Sequence, residues 1–146
     1  MGEIGLRQFA PYLINSVSQS WMTHLANALK SYDMTTTKMR ALAILSISSP
    51  VTINGLSLYA LTEQSTMSRT LDSLEEQGFI IRRARPEDLR VRDVEITPPG
   101  REAFGRVWPT MYDVLSKMFD GVDNAEYKAF TATLHKMIQN IRKHGI

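Results

Sequence analysis

The stretch from Thr62 to Gly100 passes from the period of a helix to that of a strand around Gly78, and this change limits the fold more than any other feature of the chain. Met67, Leu71 and Leu74 recur at i, i+4 and i+7 as one apolar stripe, which leaves Ser65, Thr66, Ser68 and Arg69 on the opposite, solvent-facing side of a helix. Gly78 stops that helix, because a residue without Cβ takes the left-handed C′ conformation at little cost. Phe79-Ile80-Ile81 then begins a strand. Arg82, Arg83, Arg85, Arg90 and Arg92 lie in and around a Pro86-Glu87-Asp88 turn, and Val94 and Ile96 return with the alternation of a second strand. A polar-faced helix followed by an arginine-decorated hairpin is a winged helix-turn-helix written in one dimension, and the pattern predicts a partner in duplex DNA.

The flanks read as helices. From Leu6 to Tyr32, Phe9, Leu13, Val17, Trp21, Leu25 and Leu29 are spaced four apart, the pattern of one long amphipathic helix. Thr35 or Thr36 is placed to cap a second helix carrying Met39, Leu42, Ala43 and Ile47, which Ser48-Ser49-Pro50 ends. Thr52 caps a short third helix with Ile53, Leu56 and Ala60 on its buried side, and its partner is expected to open at Thr62 after a helix-turn-helix turn. Beyond the hairpin, Thr97-Pro98 starts a helix expected to reach Phe119, and Asp123 with Glu126 has the form of a capping box for a last helix lined by Phe130, Leu134, Met137, Ile138 and Ile141. The fold class is therefore mainly α with a small β-hairpin wing. One domain, 1–146, holds a winged helix-turn-helix unit at 35–100 flanked by long helices at 6–32 and 101–144. Those helices carry more apolar surface than the winged unit can cover, so a second copy of the chain is the expected partner for it.

Composition narrows the function. The sequence has 146 residues and no cysteine, which removes disulfides, thiolate nucleophiles and cysteine-based zinc sites. His24, His135 and His144 have no ligand-type partner at i+3 or i+4, and no metal or cofactor is expected. No run approaches the ~18 apolar residues of a membrane span, nor does the N-terminus look like a signal peptide; the expected location is the cytoplasm. Nucleophile–base spacing, a glycine-rich phosphate loop and paired carboxylates on an apolar background are all missing from the pattern, so catalysis is not expected. A winged-helix protein–protein module without DNA binding is the alternative function.

Asp88-x-Arg90, five residues, then Ile96-Thr97-x-x-Gly100 resembles the wing signature D-x-R-x5-L-T-x-x-G of the MarR family of bacterial transcription regulators. Ser65 to Glu75 is similar to the recognition helix of that family, and Gln77-Gly78-Phe79-Ile80 to its helix-to-wing turn. Leu89 stands where many members have a second arginine, Ile96 replaces leucine, and Gly55 lies where the third helix often has glutamate. The resemblance implies a homodimeric repressor on a pseudo-palindromic operator, released by a small aromatic ligand.

The residues expected to touch DNA are Gln64, Ser65, Thr66, Ser68 and Arg69 on the helix and Arg85, Asp88 and Arg90 in the wing, with Asp88 holding the Arg90 fork. Arg82, Arg83 and Arg92 read equally well as DNA contacts or as partners of Asp93 and Glu95. Asp72, Glu75 and Glu76 make the second half of the helix acidic, so its first half is expected to enter the groove. For the effector, Trp21, Met39 and Met111 are the candidate contacts; methionines on apolar stripes also serve as ordinary core.

Overall fold

Three of the helix starts are fixed by side-chain caps read off the sequence. The Thr35 hydroxyl accepts the Lys38 N–H at 3.1 Å and opens α2 (Thr36–Ile47), and the Thr52 hydroxyl accepts the Gly55 N–H at 3.1 Å and opens α3 (Ile53–Tyr59). Asp123 Oδ1 accepts the N–H groups of Ala125 and Glu126 while Glu126 Oε2 accepts the Asp123 N–H, the reciprocal box that begins α6 (Asn124–His144).

The computed structural model describes residues 5–85 and 87–145, apart from the side chain of Leu89, and it divides into two compact units, Met1–Val114 and Leu115–Ile146. Pro86, expected at the wing turn, lies outside the described residues. The first unit begins with α1 (Ala10–Leu29), which occupies most of the expected 6–32 segment; single 3-10 turns at Leu6–Gln8 and Lys30–Tyr32 flank it. After α2 come a two-residue strand β1 (Val51–Thr52), α3, and α4 (Gln64–Glu76). The hairpin is β2 (Ile80–Arg85) and β3 (Asp88–Ile96), followed by α5 (Pro98–Met118).

Two expectations need correction. The helix after the turn begins at Gln64 rather than Thr62, because Leu61 is left-handed (φ 51°) and Thr62 belongs to the turn, its hydroxyl donating to the Ala60 carbonyl at 3.1 Å. The sheet has three antiparallel strands in the order β1-β3-β2, not two, with Val51 opposite Val94 and Thr52 opposite Asp93. A two-residue strand is too short to show an alternation.

The core sits where α1, α2, α3 and α4 meet the sheet. Leu25, Leu29, Leu42, Leu45, Leu56, Met67, Leu71, Leu74, Ile80, Val94 and Val107 are fully buried, so the α4 stripe read from the sequence is the face that packs. Arg40 Nη1 donates to the Ala60 carbonyl at 3.1 Å, tying α2 to the end of α3. In the second unit, Phe119 packs edge-on against Tyr127 (centroids 5.0 Å apart) and lies 6.5 Å from Phe130.

Helix α4, the sheet and α5 converge at Gly78 and Phe79. Gly78 has φ 72°, as its place after a helix end requires. Thr97 N–H donates to the Phe79 carbonyl at 3.0 Å, the Thr97 hydroxyl donates to the Gly78 carbonyl at 2.6 Å, and Gly100 N–H donates back to that hydroxyl at 3.1 Å. A Cβ on Gly100 would stand 2.0 Å from the Phe79 carbonyl oxygen. Threonine and glycine three apart are thus a joint. Gly100→Ala is expected to destabilise the protein by about 1–3 kcal/mol through backbone displacement. Gly105→Ala, on the same helix with nothing within 4 Å of the new methyl, should be neutral or stabilising by up to ~1 kcal/mol. Urea unfolding of the two variants checks this, and equal midpoints would contradict the joint.

Candidate nucleic-acid interface

The buried stripe of α4 turns its other side to solvent. Gln64, Ser65, Thr66 and Arg69 are exposed and Ser68 is half-buried, so the five expected helix residues share the N-terminal half of one element. Arg69 donates from Nε only to the Ser65 carbonyl one turn back, at 3.4 Å, and is in no ion pair among the described residues. Its neighbour Asp72 is turned away from it, to Arg82.

Arg82 is held by two carboxylates of α4 at once. Its Nη1 lies 2.8 Å from Asp72 Oδ1, its Nε donates to Glu75 Oε2 at 2.9 Å, its Nη2 pairs with the same Glu75 oxygen, and its backbone N–H donates to Glu75 Oε1 at 3.1 Å. The contact joins α4 to the first strand of the wing. Hydrogen bonding from Arg82 holds the Glu75 carboxyl below its ordinary range, outweighing the opposing effect of burial. The carboxylate partners of Arg82 are thus on the helix, Asp72 and Glu75, rather than Asp93 or Glu95.

Farther out, the wing sorts its arginines by partner. Arg85, expected on DNA, forms a two-pronged pair with Asp93 across the hairpin, Nε to Oδ2 at 3.0 Å and Nη2 to Oδ1 at 2.6 Å, and this pair holds the Asp93 carboxyl below its ordinary range. Arg83 lies 3.5 Å from Glu95. Arg90 falls in the part of β3 where the register jumps, between Ala84 opposite Arg92 and Arg85 opposite Asp88, and its side chain is 97% exposed. Asp88 accepts the Arg90 backbone N–H at 3.0 Å, whereas the Arg90 Nε is 3.7 Å away. Asp88 therefore shapes the tip through the main chain and holds the Arg90 fork only loosely.

Between wing and helix lies a cleft of about 220 Å³, lined by Thr52, Ile53, Asn54, Gln64, Arg90, Val91 and Arg92. It brings the first residue of α4 together with the wing tip, adds Asn54 to the residues expected from sequence, and includes Arg92, which the sequence left open. Arg92 is exposed and takes part in no ion pair among the described residues. The arrangement offers guanidinium and amide donors to an anion with no carboxylate in the lining, as a phosphate backbone requires. Trp21, Met39 and Met111 are elsewhere: Met39 is a buried member of the core, 4% exposed, and Trp21 and Met111 pack half-buried against it. Among the described residues no cluster of His, Asp or Glu could hold a metal ion, and no helix is long and apolar enough to cross a membrane.

Comparison with known proteins agrees with this geometry. The MarR family model matches residues 34–91. The crystal structure of a MarR-family transcriptional regulator from Silicibacter pomeroyi is 41% identical, with 100% of this chain and 99% of that chain covered and a TM-score of 0.89. The HTH-type transcriptional repressor IacR of Pseudomonas putida is 24% identical over 95% of this chain and 83% of its own length. At 19% identity, Bordetella bronchiseptica BpsR, whose DNA binding is regulated by 6-hydroxynicotinic acid, shares the fold with a TM-score of 0.81 over 93% of this chain and 97% of its own. The Silicibacter pomeroyi and Pseudomonas putida relatives are transcription regulators, which decides against the protein–protein module.

The Arg82 contact gives a pH dependence with a definite sign. A carboxyl whose folded pKa is lowered from its ordinary 4.5 stabilises the fold above that value, and the contribution disappears as pH falls through the lowered folded value. Glu75→Gln is expected to lower stability at neutral pH by no more than about 1 kcal/mol, as suits a partly exposed pair, with the gap to the parent closing in acid. Urea midpoints measured from neutral to acid pH check it; a gap independent of pH would contradict the ionic origin.

Proposed function

The chain belongs to the MarR family of DNA-binding transcription regulators, and we propose that it is a cytoplasmic repressor that grips a pseudo-palindromic operator as a homodimer. The observation that carries this reading is the contrast between restrained and free cations. Arg82 and Arg85 are held by several-pronged contacts to carboxylates, while Arg69 on the outer face of α4 and Arg90 at the wing tip, 97% exposed and only loosely paired with Asp88, remain open to a partner. An arginine projecting from the N-terminal half of a recognition helix can make two hydrogen bonds to guanine O6 and N7, and a wing-tip arginine meets phosphate or the minor-groove floor.

Support for the second copy comes from apolar surface left open on each unit considered alone. Phe9, just before α1, and Leu13 and Val17 on it are exposed, and so are Phe130, Ile138 and Ile141 on α6. Two recognition helices in successive major grooves set half-sites roughly 10 bp apart. For the effector, Trp21 and Met111, half-buried against the core to which Met39 belongs, offer the aromatic and thioether surface that a small aromatic acid would use; the nicotinic acid derivative of BpsR is a ligand of that kind. A ligand acts on DNA binding only if it prefers one of two conformations.

Selection of bound sequences from a random duplex pool tests the reading as a whole: a recovered palindrome supports it, and an unsymmetric motif or a monomer in sedimentation at micromolar concentration contradicts it. Within the site, Arg69→Ala should cost ~1–3 kcal/mol of discrimination between bases. Arg90→Ala should weaken binding to operator and scrambled duplex alike, and reduce the slope of log affinity against log salt by ~0.9 for each phosphate no longer neutralised. If Arg90→Ala leaves affinities and slope unchanged, the wing is only a hairpin.

A further inference from the structure

Helix α4 has a second flank, and the ion pairs leave it positive. At about 100° per residue, Thr66, Arg69, Thr70 and Ser73 lie together on the side of α4 roughly opposite Gln64, which faces the wing cleft. They form one wall of a groove of about 340 Å³ whose other wall is Thr35 and Lys38 at the start of α2. The lining holds two cations, four hydroxyls and no carboxylate. Neither Lys38 nor Arg69 is in an ion pair among the described residues, because Asp72 and Glu75 are drawn round to the wing side by Arg82. The Lys38 ammonium donates to Gln77 Oε1 at 3.0 Å, which positions it beside α4 without neutralising it.

We propose that this groove is a second backbone-phosphate site, taking the DNA strand on the side of the recognition helix away from the wing, with Lys38 as its principal contact. The inference rests on the reading of α4 as the element that enters the major groove. A major groove is bounded by a phosphate chain on each side, about 12 Å apart, and a helix lying in it presents one flank to each. On one flank stand Arg90 and Arg92; on the other stand Lys38 and Arg69. Contact on both flanks fixes the depth and register of α4, which the wing contact alone leaves free to roll, and base readout by Arg69 needs that register.

The test uses the full chain and a random-sequence duplex, so that no operator need be known. Lys38→Gln keeps much of the stem and the polar end but removes the charge; Lys38→Arg keeps the charge; Arg90→Gln is the comparison. Lys38→Gln is expected to weaken binding and reduce the slope of log affinity against log salt by ~0.9 per bound chain, with Lys38→Arg close to the parent and thermal unfolding of both unchanged. An unchanged slope for Lys38→Gln, while Arg90→Gln lowers it, overturns the second phosphate site and leaves the DNA reading standing. A drop in affinity with lowered unfolding temperature and unchanged slope also overturns it, since Lys38 would then be a structural contact. If neither Lys38→Gln nor Arg90→Gln moves affinity or slope, the DNA-binding role of α4 and the wing falls with it.

Discussion

The carbonyl oxygen of Phe79 leaves no space for a side chain at position 100, where a Cβ would come within 2.0 Å of it. That approach lets the same carbonyl accept the Thr97 N–H while the Thr97 hydroxyl reaches Gly78, so the end of α4, the start of β2, the end of β3 and the start of α5 meet at one point. Arg82 closes on Asp72 and Glu75 two residues beyond Ile80, adding a polar contact to the covalent and backbone ones. The base of the wing is thereby fixed to the helix. Its tip is not, because the register jump after Ala84 leaves Arg90 outside the regular ladder and almost wholly in solvent. A rigid base with a free cationic end suits a contact that must follow a phosphate chain: the placement is set in advance and only one side chain is ordered on binding.

Individually, the wing's surface ion pairs contribute little to stability, about 0–1 kcal/mol each. Their larger effect is on which charges are left. Four carboxylates on this side, Asp72, Glu75, Asp93 and Glu95, are paired with Arg82, Arg83 and Arg85, while Glu63, Glu76 and Glu87 are in no ion pair among the described residues. What an approaching duplex meets is the remainder, chiefly Arg69, Arg90, Arg92 and Lys38. The formal net charge of the chain is only +2, so the attraction depends on this local sorting rather than on an overall excess.

The helical part of this was legible in the sequence because its signals are local. Met67, Leu71 and Leu74 share a face through helix geometry alone, and Thr35, Thr52 and Asp123 cap through atoms a few residues away. The partners of the arginines were not legible, since they depend on strand register and on which side of α4 meets the sheet. Arg85 reads as a DNA contact beside Arg90, yet its side chain reaches diagonally across the hairpin to Asp93; Arg92, which looked no different from Arg83, is the one of those two left unpaired among the described residues. Asn54 and Lys38 come from segments before the central stretch and reach the interface only through the packing of α2 and α3. The threonine–glycine motif could be recognised by resemblance, but its reason is a steric one that appears only when Phe79 and Gly100 are seen together.

The acidic second half of α4 gains a meaning from the same arrangement. Carboxylates on a helix meant for DNA repel phosphate if they are free, and two of the three here are not: Asp72 and Glu75 form the hold on the wing. Only Glu76, at the far end, remains exposed and unpaired among the described residues. Polarity along the helix then follows. Its first half carries hydroxyls, an amide and Arg69 outward; its second half is occupied in fixing the wing and ends on an uncompensated negative charge. A helix so charged is repelled from a phosphate chain at its C-terminal end, which supports the proposed entry of its first half, Gln64 to Arg69, into the groove. The wing tip and the start of α2 flank that half, and there stand Arg92, Lys38 and the loosely paired, almost wholly exposed Arg90.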